Sequence, residues 1–228
     1  MPNRGARAAV LKDHLFRIVD ALGELRMPYM VIGAFALPAW GRPRATLDLD
    51  FSIQTAEMPK ELVRKLNDLG FRFDEEWDRY NPMIRAFHQR FRSGRIPVDV
   101  LITRDEHDVV AFSRRKKKRF AGRYLWFPSA EDLLLQKLKV GRPQDFIDAD
   151  GIVERMRGKL DRRYLIRWAK KLHVTAELAR VVKRCRCAGF CDLPRSTRQR
   201  RAGTGNSHFR FMSSENASWS QAWRRKKS

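Results

Sequence analysis

Acidic residues are in short supply: 26 Asp plus Glu stand against 48 Lys plus Arg, a formal net charge of +22 over 228 residues. A field of that sign disfavours cationic partners and favours polyanions, nucleic acid first among them. Cysteine is scarcer still. Cys185, Cys187 and Cys191 lie in one short stretch, which excludes a disulfide framework, and their spacing fits no common zinc pattern. Long apolar runs are missing too. The longest, Pro28 to Trp40, falls short of the roughly 20 residues that a membrane-spanning helix needs. No targeting segment is read at the N-terminus, because Lys12, Asp13 and His14 interrupt the apolar residues there. These absences lead to the expectation of a cytoplasmic protein with no membrane partner. The histidines are scattered and suggest no constellation.

Hydrophobic residues make up 43% of the chain, which is enough for an ordinary globular core. Val10, Leu11, Leu15, Ile18, Val19, Leu22 and Leu25 recur at helical spacing and predict a helix over Ala8–Leu25, closed by Pro28. Tyr29–Ile32 reads as a short strand, and Gly33 begins a turn into a short helix around Phe35–Trp40. From Leu47 to Ile53 apolar residues alternate with Asp48, Asp50 and Ser52, the period of a half-buried strand. A helix over Pro59–Leu69 comes next, and Phe71–Asn81 reads as irregular. Strands are expected over Ile84–Phe91 and Ile96–Thr103, joined through Ser93-Gly94, with a helix near Glu106–Phe112. Ser129 and Asp132 have the form of a capping box for a helix running to Val140. Further helices fit Pro143–Met156, Asp161–Leu172 and Thr175–Arg184. This order predicts an α/β fold: a mixed β-sheet core with flanking helices over 1–128, then a helical C-terminal unit over 129–184. Residues 185–228 are poor in Leu, Ile and Val and have no period, which predicts a basic, disordered tail. The tail differs so much from the rest that a shifted reading frame is one explanation, and the coding DNA decides it.

Asp48 and Asp50 are the candidates for chemistry. Two residues of strand rise about 6.7 Å and point to one face. Carboxylates so placed can straddle two Mg2+ ions about 3.5–4 Å apart, as in-line phosphoryl displacement requires. An acidic pair alone is more often a solvated sheet face. Its neighbourhood argues otherwise. Gly33 opens a turn after a strand, where backbone N–H groups can receive phosphate. Arg42, Arg44 and Thr46 stand between that turn and the pair, and Asp99 offers a third carboxylate on a later strand. Six consecutive basic residues, Arg114 to Arg119, form either a solvated mobile loop or a contact for a nucleic-acid backbone. Tyr124, Trp126 and Phe127 alongside could stack on bases, although core packing is the commoner use of such residues.

The segments Tyr29–Leu37 and Trp40–Phe51 resemble the nucleotidyltransferase superfamily of polymerase beta-like fold. That family's pattern is a Gly-Gly or Gly-Ser turn, then Asp-x-Asp on a strand, then a third acidic residue on a later strand. Val98-Asp99-Val100-Leu101 fits the third position, and Glu131–Leu138 with Gly141–Asp148 is similar to the later motif of the AbiEii-type toxin branch. The resemblance covers about residues 8–184. It implies that Asp48 and Asp50 bind Mg2+, or Mn2+ in its place, and that Asp99 completes the metal site and helps activate the attacking hydroxyl. It also implies an NTP substrate near Gly33, Ala34, Arg44 and Thr46. Lys137 would contact the triphosphate, and Asp145 would orient Lys137, Arg142 or the nucleophile. Ala34 departs from the pattern: its N–H survives, but a Ser hydroxyl is lost and the methyl restricts the turn relative to Gly.

The expected activity is therefore metal-dependent transfer of an NMP group from an NTP to a hydroxyl acceptor. RNA, tRNA in particular, is the expected acceptor, and a toxin-type role would add a cognate antitoxin. The +22 charge opposes a cationic acceptor such as an aminoglycoside. The alternative is a catalytically silent nucleotidyltransferase-like fold that binds RNA or a partner protein. Ala34 favours it, and the three retained carboxylates oppose it.

Overall fold

A computed structural model describes residues 4–184, so the expected tail over 185–228 lies outside the described residues. The chain divides between Leu133 and Leu134 into two units. The first opens with α1 (Arg4–Glu24), whose Leu11, Leu15, Ile18 and Leu22 are buried at the helical spacing read from the sequence. There follow β1 (Tyr29–Val31), a 3-10 turn over Gly33–Ala36, α2 (Leu37–Trp40), β2 (Leu49–Ile53), α3 (Lys60–Asp68), β3 (Arg72–Phe73) and α4 (Glu75–Arg79). Next are β4 (His88–Ser93), β5 (Ile96–Ile102), α5 (Glu106–Ser113), β6 (Lys116–Phe120) and β7 (Arg123–Phe127).

The expected α/β class holds: the first unit has a mixed five-stranded sheet in the order β1-β2-β5-β4-β3. Only β2 and β5 run parallel; every other neighbouring pair is antiparallel. Alternation gives the sheet two unlike faces. Leu49, Phe51, Ile53, Val98, Val100 and Phe91 share one face and are buried. Asp50, Asp99 and Arg90 share the other. Their backbones are fixed by the same ladder that buries the apolar face, so the core sets the positions of the polar side chains.

Three local expectations are corrected. Leu47, assigned to the apolar face of the Asp48–Asp50 strand, lies before β2 and is 48% exposed. The strand starts later because Thr46 Oγ1 accepts from the Asp48 N–H at 3.3 Å, a local turn that competes with ladder pairing. The segment Phe71–Asn81 is not irregular: β3 pairs with β4, and Asp74 caps α4 by accepting from Trp77 N at 3.0 Å. Turns replace the first part of the expected strand Ile84–Phe91, with Ile84 N bonded to Asn81 O and His88 N to Ile84 O. Pro82, two residues before the expected start, lies within the turns that carry the chain to β4.

Helix α6 (Ala130–Val140) starts as the capping pattern predicts, with Asp132 N donating to Ser129 Oγ at 3.2 Å. The Asp132 carboxylate accepts the Ser129 hydroxyl at 2.5 Å and lies 3.4 Å from His107 Nε2 and 3.2 Å from Arg114 Nε. The second unit continues with α7 (Pro143–Arg155), α8 (Arg162–Lys171) and α9 (Thr175–Arg184). There α9 packs against both α7 and α8.

Candidate active site

Gly33 and Asp50 form the tightest element of the polar face. β1 pairs antiparallel with β2, and Ile32 N donates to Asp50 O at 2.9 Å, which brings the end of β1 over Asp50. Gly33 then turns with φ +63°. A Cβ built on it would lie 2.0 Å from Asp50 Oδ2 and 2.8 Å from Asp50 Cγ. Glycine is thus required here twice, for the left-handed backbone and for the close approach of a carboxylate. Ala34 is buried within the turn, and its carbonyl accepts from Leu37 N.

Asp48 sits immediately before β2 and Asp50 within it; both are half-buried. Arg44 lies in the loop ahead of them, with its guanidinium on Ala45 O at 3.2 Å. Asp50 and Asp99 are register partners on the parallel strands β2 and β5, so their side chains lie on the same face. The structure therefore brings Gly33, Asp50 and Asp99 together, with Thr46 bonded to the backbone of Asp48.

Asp99 is not left open. It is 3% exposed, and Arg90, its register partner on β4, binds it through both oxygens: Nε to Oδ1 and Nη2 to Oδ2, each at 2.7 Å. His88 Nε2 stands 3.2 Å from Oδ1. Burial works against the carboxylate charge, yet the bonds from Arg90 and His88 outweigh it and hold the Asp99 pKa below the usual value. The converse holds for Arg90. Burial disfavours its charge, but Asp99, with the fields of Asp48 and Asp50, raises its pKa. The guanidinium also lies 5.1 Å from the Trp77 ring, which itself packs 4.5 Å from His88.

Sequence reading missed Arg90, His88 and Trp77. The signal was there: His88, Arg90 and Arg92 recur at every second position of β4, the strand that pairs with Asp99.

Lys137 and Asp145 meet in the second unit. Lys137 Nζ lies 3.2 Å from Asp145 Oδ1 and 2.8 Å from Asp148 Oδ2, and the lysine is only 5% exposed. Arg142 adds three bonds to Asp145: Nε to Oδ2 at 2.6 Å, Nη2 to Oδ1 at 3.1 Å and its backbone N–H to Oδ2 at 3.3 Å. Asp145 thus joins Lys137 to the start of α7.

The basic run Arg114–Arg119 is not a free loop. Most of it forms β6, paired with β7 across a two-residue turn, Ala121-Gly122, in which both φ angles are positive. Leu125 and Phe127 are buried on one face of this ribbon. Lys117↔Trp126 and Arg119↔Tyr124 are register pairs on the other, where Tyr124 is 64% exposed. The Lys117 ammonium lies 5.9 Å from the Tyr124 ring and 5.8 Å from that of Trp126, and the Arg115 guanidinium lies 4.8 Å from Trp126. No Asp or Glu occurs between Arg114 and Ala130. Among the described residues Lys116, Lys117, Lys118 and Arg119 form no ion pair, whereas Arg114 and Arg123 do. On the sheet side, Phe35 of the Gly33 turn packs edge-on against Phe120, and the Lys118 ammonium lies 4.5 Å from the Trp40 ring.

Among the described residues no helix is long and apolar enough to cross a membrane. No protein-family model matches the chain, and no curated protein matches it. Solved structures with a similar chain path include the lincosamide antibiotic adenylyltransferase LnuA bound to lincomycin, at 15% identity over 61% of this chain and 94% of that one, TM-score 0.47. ANT(2″)-Ia in complex with adenylyl-2″-tobramycin is 19% identical over 75% of this chain and 97% of that one, TM-score 0.44. An antigenic nucleotidyltransferase-like protein from Paracoccidioides brasiliensis is 16% identical over 74% of this chain and 90% of that one, TM-score 0.44.

Proposed function

We propose that this chain is a nucleotidyltransferase of polymerase beta-like fold that moves an NMP group from an NTP to a hydroxyl of RNA, tRNA in particular. The observation that carries the reading is Gly33 pressed against Asp50, with Asp99 in register beside it. A sheet with only a structural role gains nothing from a left-handed glycine held against a carboxylate. In the reaction an acceptor hydroxyl oxygen attacks the α-phosphorus and forms a new P–O bond. The bond to the α–β bridging oxygen breaks, pyrophosphate leaves and the hydroxyl proton passes to solvent.

Asp48 and Asp50 fit a hard divalent cation such as Mg2+: they are half-buried oxygen donors two residues apart. When bound, such an ion polarises the α-phosphate and neutralises the charge that develops there. Gly33 allows the backbone to come close to Asp50, and Thr46 fixes the backbone of Asp48. These contacts hold the pair in one geometry before substrate arrives.

The acceptor reading rests on the β6–β7 ribbon. Unpaired cations interleaved with partly exposed aromatic rings suit a single strand, with phosphates on Lys117 and Arg119 and a base on Tyr124. Incubating the protein with labelled NTPs, Mg2+ and total RNA is expected to label RNA, and Asp48→Ala is expected to abolish the label. Equal labelling by wild type and Asp48→Ala overturns the activity. Lys117→Glu/Arg119→Glu is expected to weaken RNA binding and to lower the salt slope by about 1.4, two phosphate contacts' worth on a single strand. An unchanged slope removes the ribbon from the acceptor site.

The AbiEii-type, toxin assignment, with its antitoxin partner, rests on the sequence resemblance of Glu131–Leu138 and Gly141–Asp148. Its test is growth arrest on induction of the wild-type gene and none with Asp48→Ala. One observation favours the silent alternative, the hold of Arg90 on both oxygens of Asp99. RNA binding without label transfer is the signature of that case.

A further inference from the structure

The polar sheet face carries a cation of its own. Arg90 fills both oxygens of Asp99, and His88 crowds Oδ1. A carboxylate offers about four lone-pair directions, of which the Arg90 bonds take two and the His88 ring, 3.2 Å from Oδ1, blocks a third. An ion that reached the remaining one would stand beside a guanidinium whose charge repels it. The guanidinium is also held from behind, over the Trp77 ring, and its backbone is fixed opposite Asp99 in the β4–β5 ladder. Releasing it would strand a carboxylate that is 3% exposed.

We infer that Arg90 is the resident cation of this site: it holds Asp99 out of the metal shell, so a divalent ion is bound by Asp48 and Asp50 without it. This inference deepens the nucleotidyltransferase reading and rests on it for the identity of the metal pair. Sites that act on phosphoryl groups with two ions place positive charge on both sides of the displacement. Here Arg90 puts a fixed charge on the sheet face that carries Asp50. It is a positioning residue for Asp99 and sets how many carboxylates a metal can engage.

Titration of the full chain with Mn2+ alone, read from the electron paramagnetic resonance of the free ion, tests this. Asp50→Asn is expected to lose the bound ion, while Arg90→Met/Asp99→Asn, which removes the pair and leaves the net charge unchanged, keeps an affinity within about threefold of wild type. Removing the repelling charge in Arg90→Met is expected to tighten Mn2+ binding by at least about tenfold. The double variant lacks that gain, because the gain needs both the loss of the guanidinium and the uncompensated Asp99 carboxylate it leaves. Arg90→Lys keeps a cation without the two-pronged bond and retains an affinity near that of wild type. If Arg90→Met is not recovered folded, the double variant and Arg90→Lys still decide. Loss of metal in the double variant by tenfold or more, or an Arg90→Met affinity equal to wild type, overturns the inference. Label transfer is read separately, so a chain that binds Mn2+ as expected yet transfers nothing fails the activity and leaves Arg90's role standing.

Discussion

Gly33→Ala is expected to damage the first unit by two separable routes. The residue sits at φ +63°, where an L side chain costs about 1–2 kcal/mol relative to glycine. Its new methyl would also come 2.0 Å from Asp50 Oδ2 and 2.8 Å from Cγ, so the carboxylate must rotate away or the turn must move. Overpacking of this kind costs about 1–3 kcal/mol. Together the variant is expected to lose about 2–5 kcal/mol, or roughly 4–20 °C in Tm for a chain of this size. The second route depends on Asp50. In an Asp50→Ala background the atoms at 2.0 and 2.8 Å are gone, leaving the 3.1 Å contact to Asp50 Cβ, so Gly33→Ala should cost mainly its backbone share. Urea denaturation of wild type, both single variants and the double variant gives the coupling, expected at about 1–3 kcal/mol. A coupling within about 0.5 kcal/mol of zero refutes the close approach as the reason for glycine. A Gly33→Ala protein as stable as wild type refutes both routes.

The lowered pKa of Asp99 predicts acid sensitivity with a definite sign. The group's stabilisation is fully present above its unfolded pKa, about 3.9, and is lost as pH falls through the lower folded value. The stability advantage of wild type over Asp99→Asn is therefore flat near neutrality and shrinks below about pH 4. A difference that stays constant down to pH 3 contradicts it. In the second unit, Lys137→Met leaves Asp145 and Asp148 buried without the shared ammonium and is expected to cost about 3–5 kcal/mol by denaturation. A loss under about 1 kcal/mol would show that Lys137 is not holding the two carboxylates.

What could be read from the sequence followed the ranges over which each signal acts. Periodicity recovered α1, the strand holding Asp50 and the helices after Ser129, because burial of one face repeats along the chain. Thr175–Arg184 matches to the residue. Local chemistry also carried: Ser129 caps α6, and Gly33 turns where a turn was read. What escaped was register: the two strands joined through Ser93-Gly94 were read, but it is the β4–β5 ladder that sets Arg90 opposite Asp99. The α4 cap was overlooked although Asp74 with Glu75, Glu76 and Asp78 is a legible helix start. The basic run, read as either a solvated loop or a nucleic-acid contact, was given no strand, since six like charges in a row carry no alternation. Its pairing with the apolar β7 across Ala121-Gly122 overrides that local preference.

The ribbon's lysines have a consequence for handling the protein as well. Among the described residues β6 has one neighbour, β7, so its other edge offers backbone donors and acceptors with no described strand beyond. Such an edge invites a second copy to pair with it, and rows of like charge keep the copies apart. Variants that discharge Lys116–Lys118 to abolish polyanion affinity are, for that reason, expected to self-associate more readily than wild type.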